Sequence, residues 1–247
     1  MEILYWNKDS AALNIVSRLE DMQSIMIEKD ESLLYLEKLD EDADFFVIPS
    51  MHKSEAEKCS LTVHACGNFG NADFGGNPAE LERTWPSALA VGLRSMAQAG
   101  LDDYEVCMEV THHGPSGLGK PLVWIEIGSG EEQWMDERAG EVVAKAIRAI
   151  YDNKTEFENY IGFGGPHYAP SFTNLVLENE KIAIGHILPS YQAEHITKEI
   201  VEEMLEKSSA KKAVFDWKGL KRGARNKVLG ILDELGVEYC KTSELRV

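Results

Sequence analysis

Hydrophobic residues recur along this chain with two periods. Short runs rich in β-branched and aromatic residues, bounded by Gly, Pro, Asn or Asp, predict eight strands. The first four are ILYW (3–6), SIMIE (24–28), DFFVIP (44–49) and SLTVHA (60–65). The others are YEVCMEVTH (104–112), LVWIEIG (122–128), NLVLE (174–178) and KIAIGHIL (181–188). Between them the apolar spacing lengthens to three and four. SAALNIVSRLEDM places Leu13, Val16 and Leu19 on one helical face, with Ser10 as N-cap. A second helix starts at Pro86 and stops at Gly100, and a third, from Glu131, buries Val143, Ala146, Ile147 and Ile150. Ile196, Ile200, Val201 and Met204 mark another, and Val228, Ile231, Leu232 and Leu235 mark the last. This alternation predicts one α/β domain over residues 1–247, a three-layer sandwich. LENEK reads as a hairpin turn between the last two strands, which would make the central sheet mixed.

Composition narrows the class. Hydrophobic content of 44% and a mean hydropathy of −0.27 are those of a globular protein. No run approaches the ~18 to 20 apolar residues of a membrane span, and MEILYWNKDS lacks the pattern of a signal peptide. Cys59, Cys66, Cys107 and Cys240 form no CxxC pair. They read as free thiols in a reducing cytoplasm, which disfavours a structural zinc knuckle. The formal charge of −17 argues against nonspecific coating of nucleic acid, yet the charge is segregated. Lys211 to Lys227 holds seven Lys or Arg against one Asp, a local +6, so the remainder carries −17 − 6 = −23. Such a stretch suits a polyanion, and equally a solvated helix end balancing acidic neighbours.

Seven histidines supply the candidate chemistry, and six lie at strand ends or in glycine-rich turns: His52, His64, His112, His113, His167 and His186. Only His195 falls in a predicted helix. Ligands of open α/β sheets bind beyond the carboxyl ends of strands, where side chains distant in sequence converge. A lone strand-end histidine is more often a hydrogen-bonded structural residue, but six together point to a site. Within EVTHHGPSGLGKP the pleat puts Glu109, Thr111 and His113 on one face and His112 on the other, until Gly114-Pro115 breaks it. One ring is expected to aim into the site and the other to be held behind it. GPSGLGKP approaches a phosphate-binding loop but places Pro121 where Ser or Thr is needed, so an NTPase is rejected. GxSxG, HExxH and a properly placed GxGxxG are absent. What remains is water activation by histidine, carboxylate or a histidine-bound metal. GNFGNADFGGNP (67–78) and IGFGGPHYAPSF (161–172) could bring backbone N–H groups to a substrate, and the first reads as a mobile lid.

Together, LTVHACGNFG, EVTHHGPSGLGKP with WIEIGSGEEQW, GFGGPHYAPSF, IAIGHILPSY and FDWKGLK resemble the archaeal and plant type of D-aminoacyl-tRNA deacylase. Met51 and Ser171 depart from the pattern, standing where arginine is expected. The resemblance implies a phosphorylase/peptidyl-tRNA hydrolase-like fold and a zinc-associated hydrolase. Its reaction would free tRNA from D-amino acids as proofreading, by a cytoplasmic enzyme expected to be a monomer. On that reading His112 or His113, oriented by Glu109 and accompanied by His167, activates water. Backbone N–H groups at Gly164 and Gly165 stabilise the oxyanion. His64, His113 and His186 ligate Zn2+, with Glu126 a ligand, an acceptor or a plain salt-bridge partner. Lys218, Lys221, Arg222 and Arg225 bind tRNA phosphates, and chirality is read by a clash with the L side chain. The alternatives are a peptidyl-tRNA hydrolase-like enzyme and a noncatalytic tRNA- or metal-binding module.

Overall fold

The computed structural model describes residues 1–54 and 58–246. Its first elements are β1 (Glu2–Trp6), α1 (Ser10–Val16), β2 (Ser24–Ile27), β3 (Phe46–Lys53) and β4 (Ser60–His64). A two-stranded ladder follows, β5 (Gly67–Asn68) with β6 (Glu80–Leu81). Next come α2 (Pro86–Ala99), β7 (Glu105–Met108), β8 (Leu122–Ser129), α3 (Glu131–Trp134) and α4 (Glu137–Asp152). The remainder is β9 (Glu158–Phe163), α5 (Pro170–Glu178), β10 (Ile182–Leu188) and α6 (Lys198–Lys207), then β11 (Lys212–Phe215), α7 (Arg222–Leu235), β12 (Glu238–Lys241) and α8 (Thr242–Leu245). No helix among the described residues is long and apolar enough to cross a membrane.

The strands form two main sheets rather than one. A six-stranded sheet runs β2-β1-β3-β8-β4-β7, and a four-stranded sheet runs β10-β9-β11-β12. The larger is mixed, as expected, but for a different reason: β4 runs antiparallel to β8 while the other pairs are parallel. The predicted hairpin is absent. Residues 174–178 belong to α5, where Pro170 opens the helix and Phe172, Thr173, Leu175 and Val176 are buried. A five-residue apolar run reads equally as strand or helix, and packing decides. β9, β11 and β12 escape the periodicity because a glycine interrupts NYIGF and charged residues crowd the other two. The helix expected from Glu131 is split at Asp136, whose side chain accepts from Arg138 N and caps α4.

Alternation in the larger sheet positions everything that follows. One face, with Val47, Leu61, Val63, Ile125 and Ile127, joins a core with α1, α2, α4, α5 and β10. The opposite face begins apolar, with Phe46, Ile48, Leu122 and Trp124 packed beneath Leu33, Leu36 and Leu39. Two residues further along β3 and β8 the same face turns polar. Ser50 pairs with Glu126, Glu126 with Thr62, and His52 with Gly128.

Asp9, rather than Ser10, caps α1. Its carboxylate accepts from Ala12 N at 2.8 Å and Met51 N at 3.0 Å, tying the helix to β3 beside that polar patch. Burial pushes its pKa up to about 6. Asp9→Ala is expected to cost about 1 to 2 kcal/mol, the usual worth of a side-chain cap, in chemical denaturation. The raised native pKa also fixes a pH dependence. The folded state holds the proton more tightly than the unfolded chain, so the stability of wild type relative to Asp9→Asn falls as pH rises from about 4 to 6. A flat difference across that window would show that Asp9 is not protonated in the fold.

Candidate active site

Beyond Met108 the chain leaves the ladder and crosses the seam between the two sheets. Glu109 N donates to Val63 O in the larger sheet, Val110 N to His167 O, and Thr111 N to Ile187 O in the smaller one, each at 3.0 Å. The segment ends at His113, whose φ of 44° lies in the left-handed region. That turn breaks the alternation that would send neighbouring side chains to opposite faces. Both imidazoles therefore enter one cluster. His112 and His113 have ring centroids 4.3 Å apart, and His64, from the end of β4, lies 4.4 and 4.9 Å from them. The expectation that one ring would be held behind the site is corrected here.

Each ring of this trio is anchored by a backbone carbonyl. The Nδ1 atoms lie 3.1 Å from Ala65 O for His64, 2.8 Å from Val110 O for His112, and 2.6 Å from Gly114 O for His113. A carbonyl can only accept, so Nδ1 carries the proton in each, and Nε2 is the nitrogen left for other chemistry. Burial, reinforced by the charges of neighbouring histidines, holds the His112 pKa well below the usual imidazole value. Burial and the charge of His64 bring that of His113 down to about 4. Both are neutral rings.

Two carboxylates lie beside the trio, Glu109 with 1% and Glu126 with 2% of its surface exposed. His52 bridges them, its Nδ1 3.3 Å from Glu109 and 3.4 Å from Glu126. Glu126 also lies 3.6 Å from His64 Nε2, and Glu109 lies 3.5 Å from His112 Nε2 and 2.9 Å from His167 Nε2. Burial alone would raise both carboxyl pKa values. Contact with His167 at Glu109, and with His52 and His64 at Glu126, outweighs it and keeps both acids ionised. Burial likewise opposes the charging of His52 and His64, but the bond to Glu126 and the two nearby charges raise both pKa values.

Within this cluster three overlapping groups have donor atoms within 4.8 Å of one another: His64–His112–His113, His52–Glu109–His167 and His64–Glu109–Glu126. Neutral imidazoles presenting Nε2 beside carboxylates are donors suited to a divalent transition metal. The buried Nε2 of His64 and both oxygens of Glu109 receive no aligned hydrogen bond among the described residues; the 2.9 Å contact with His167 is close but off-angle. Such orphaned donors fit an ion-binding role. His52, His112, His113, Glu126 and His167 of this cluster line a cavity of about 1090 Å³ together with Trp6, Leu34, Phe74 and Trp134.

Several expected site residues do other work. His186 is fully buried, with Nδ1 3.1 Å from Thr111 Oγ1 and Nε2 2.9 Å from Glu82 O. Both nitrogens are engaged, so it clamps β10 to the Glu109–His113 crossing and stands outside the donor groups. Gly164 N donates to Leu188 O at 2.8 Å and Gly165 N to Gly219 O at 3.2 Å, leaving neither N–H for an oxyanion. Arg225 donates to Trp217 O and Leu220 O and stacks over the Trp217 ring, which makes it a brace for that loop. Lys218, Lys221 and Arg222 are exposed cations beside it. Ser171 donates to Asp216 at 2.9 Å. The loop over 67–78 is pinned rather than lid-like: Asn68 Nδ2 donates to Gly75 O, Gly114 N to Phe74 O, and Asn77 N to Ser116 Oγ. Gly75 has φ of 76°, and a Cβ there would lie 2.0 Å from Leu34 O.

His52 and Tyr168 are the contributors that sequence reasoning left unassigned. The period-2 pattern of FVIPSMHK puts His52 on the face of Ile48, but only the pairing of β3 with β8 brings it level with Glu126.

Comparison with known proteins gives the family. Residues 39–240 match the family model described as D-aminoacyl-tRNA deacylase. The chain is 42% identical to the D-aminoacyl-tRNA deacylase of Methanosarcina mazei over 93% of its length and 77% of the relative's. It is 36% identical to that of Pyrococcus furiosus, over 92% and 87%. With that of Methanocaldococcus jannaschii it shares 35% identity over 94% and 96%. Its fold superposes on a crystal structure described as a conserved protein of unknown function, AF0625, with a TM-score of 0.91 at 29% identity, covering 100% of this chain and 98% of the other. With its histidines and carboxylates gathered where the two sheets meet, the chain belongs to the D-aminoacyl-tRNA deacylase family.

Proposed function

We propose that this protein hydrolyses the ester joining a D-amino acid to the 3′-terminal adenosine of tRNA, releasing free tRNA and the D-amino acid. The observation that carries the reading is the convergence of His52, His64, His112, His113 and His167 on two buried carboxylates beneath one large cavity. An ester needs no covalent enzyme intermediate, and the site holds no serine nucleophile elbow.

His64, His112 and His113 would hold a zinc ion through Nε2, with Glu126 as an oxygen donor. The chemistry such an ion supplies is Lewis acidity toward the ester carbonyl and toward water. The proton belongs to the Glu109–His167 pair. Nε2 of His167 lies 2.9 Å from Glu109; with its proton there, Nδ1 is the acceptor, and the Tyr191 hydroxyl lies 3.5 Å from it. Water attacks the carbonyl carbon as His167 takes its proton. The ester C–O bond then breaks, and the ribose oxygen leaves with that proton. The exposed Lys218, Lys221 and Arg222 would bind acceptor-strand phosphates.

Three outcomes are expected. His167→Ala and Glu109→Gln each lower kcat for D-Tyr-tRNA by roughly 10² to 10⁴, and rates near wild type would remove the pair from the reaction. Chelator treatment abolishes turnover and Zn2+ restores it; a stripped protein of full activity would end the zinc assignment. Replacing Lys218, Lys221 and Arg222 by Ala weakens tRNA binding and reduces the slope of log K against log[salt] by roughly 2 to 3. An unchanged slope would move tRNA docking to another surface. L-Tyr-tRNA and peptidyl-tRNA, run beside D-Tyr-tRNA, separate this reading from a peptidyl-tRNA hydrolase.

A further inference from the structure

The turn after Gly165 brings His167 to the cavity and Tyr168 against His52 behind it, and the proton transfer above uses only the first. The Tyr168 hydroxyl lies 2.9 Å from Nε2 of His52 and also meets the side chains of Ser54 and Ser129. Its ring packs edge-on against His52 and His167, with centroids 5.7 and 5.1 Å away. The backbone of His52 is held separately, its carbonyl accepting from Trp134 Nε1 at 3.1 Å.

We propose that Tyr168 is a positioning residue whose hydroxyl locks the imidazole of His52 with Nδ1 facing Glu109 and Glu126. An imidazole can turn over about its Cβ–Cγ bond, exchanging Nδ1 for a carbon of similar size. The turned ring would set a C–H group against two ionised carboxylates 3.3 and 3.4 Å away, so the pair they share would be lost. It would also move Nε2 away from the phenol, and the hydroxyl is the group that makes the two orientations unequal at that end.

A phenol suits this position because it both donates and accepts. When Nδ1 carries the proton toward the carboxylates, the hydroxyl donates to Nε2. When both ring nitrogens carry protons, as in an ion pair with the two carboxylates, Nε2 donates and the hydroxyl accepts. Phenylalanine would keep both ring contacts and satisfy neither state.

Tyr168→Phe, His52→Ala and the double variant test this. In Tyr168→Phe, kcat for D-Tyr-tRNA is expected to fall roughly ten- to hundredfold. KM and the thermal midpoint stay unchanged. The ring 15N shifts of His52 in metal-stripped protein move from one tautomer toward an average of two. In the His52→Ala background the second substitution changes nothing further. Wild-type kcat together with an unshifted His52 ring in Tyr168→Phe, or the same loss with and without His52, overturns the proposal. Wild-type protein that binds no zinc overturns the zinc reading alone, and kcat with the ring shifts then decides the role of Tyr168. If His52→Ala does not fold, those same two measurements on Tyr168→Phe decide it.

Discussion

Two carboxylates removed from water are the constraint around which this molecule is arranged. Glu109 and Glu126 sit almost fully buried and close to one another, a costly placement unless cationic or hydrogen-bonding groups surround them. His52, His64 and His167 meet that need from different segments. Each element that contributes a ring is thereby tied to the same small volume. Removing one partner of such a set leaves an unpaired buried charge, worth roughly 3 to 5 kcal/mol in comparable pairs. The cluster is therefore a structural joint as much as a candidate catalytic centre.

The joint lies at the seam between the sheets, and the backbone explains why it is rigid. The Glu109–His113 crossing bonds to β4 on one side and to β10 and the His167 turn on the other. His186 stands behind this crossing, neutral and buried, and secures Thr111 to β10. Three neighbouring carbonyls take the Nδ1 protons of His64, His112 and His113, so Nε2 of each points inward before any ligand arrives. Such preorganisation is what a metal or a reacting ester requires, because little reorganisation remains to be done on binding. The glycine-rich loop at the mouth contributes by close packing. Gly75 passes so near Leu34 that no side chain fits there, which holds Phe74 out over the entrance with 67% of its surface exposed.

The segregation of charge gives the cavity a direction. Glu131 and Glu132 line it, while Lys218, Lys221 and Arg222 are exposed cations that follow β11 of the smaller sheet. On the proposed function a polyanion would be steered toward that cationic sector before contact.

Much of this was legible in the chain itself. Strand and helix periods specify an α/β fold, and the glycine-proline breaks mark where His112, His113 and His167 leave regular structure. These are local properties, set by side-chain alternation and turn chemistry over a few residues. Register is not local. Whether NLVLE is strand or helix, whether Glu126 faces the core or the site, and whether His186 reaches the other histidines depend on which strands pair and how far each slides. The same holds for Gly164, Gly165 and Arg225, whose donors are taken by partners distant in sequence or across a loop. The amino-acid order determined which groups were available for chemistry. The packing of one sheet against another decided which of them meet, because a shift of one residue in a strand sends every side chain to the opposite face.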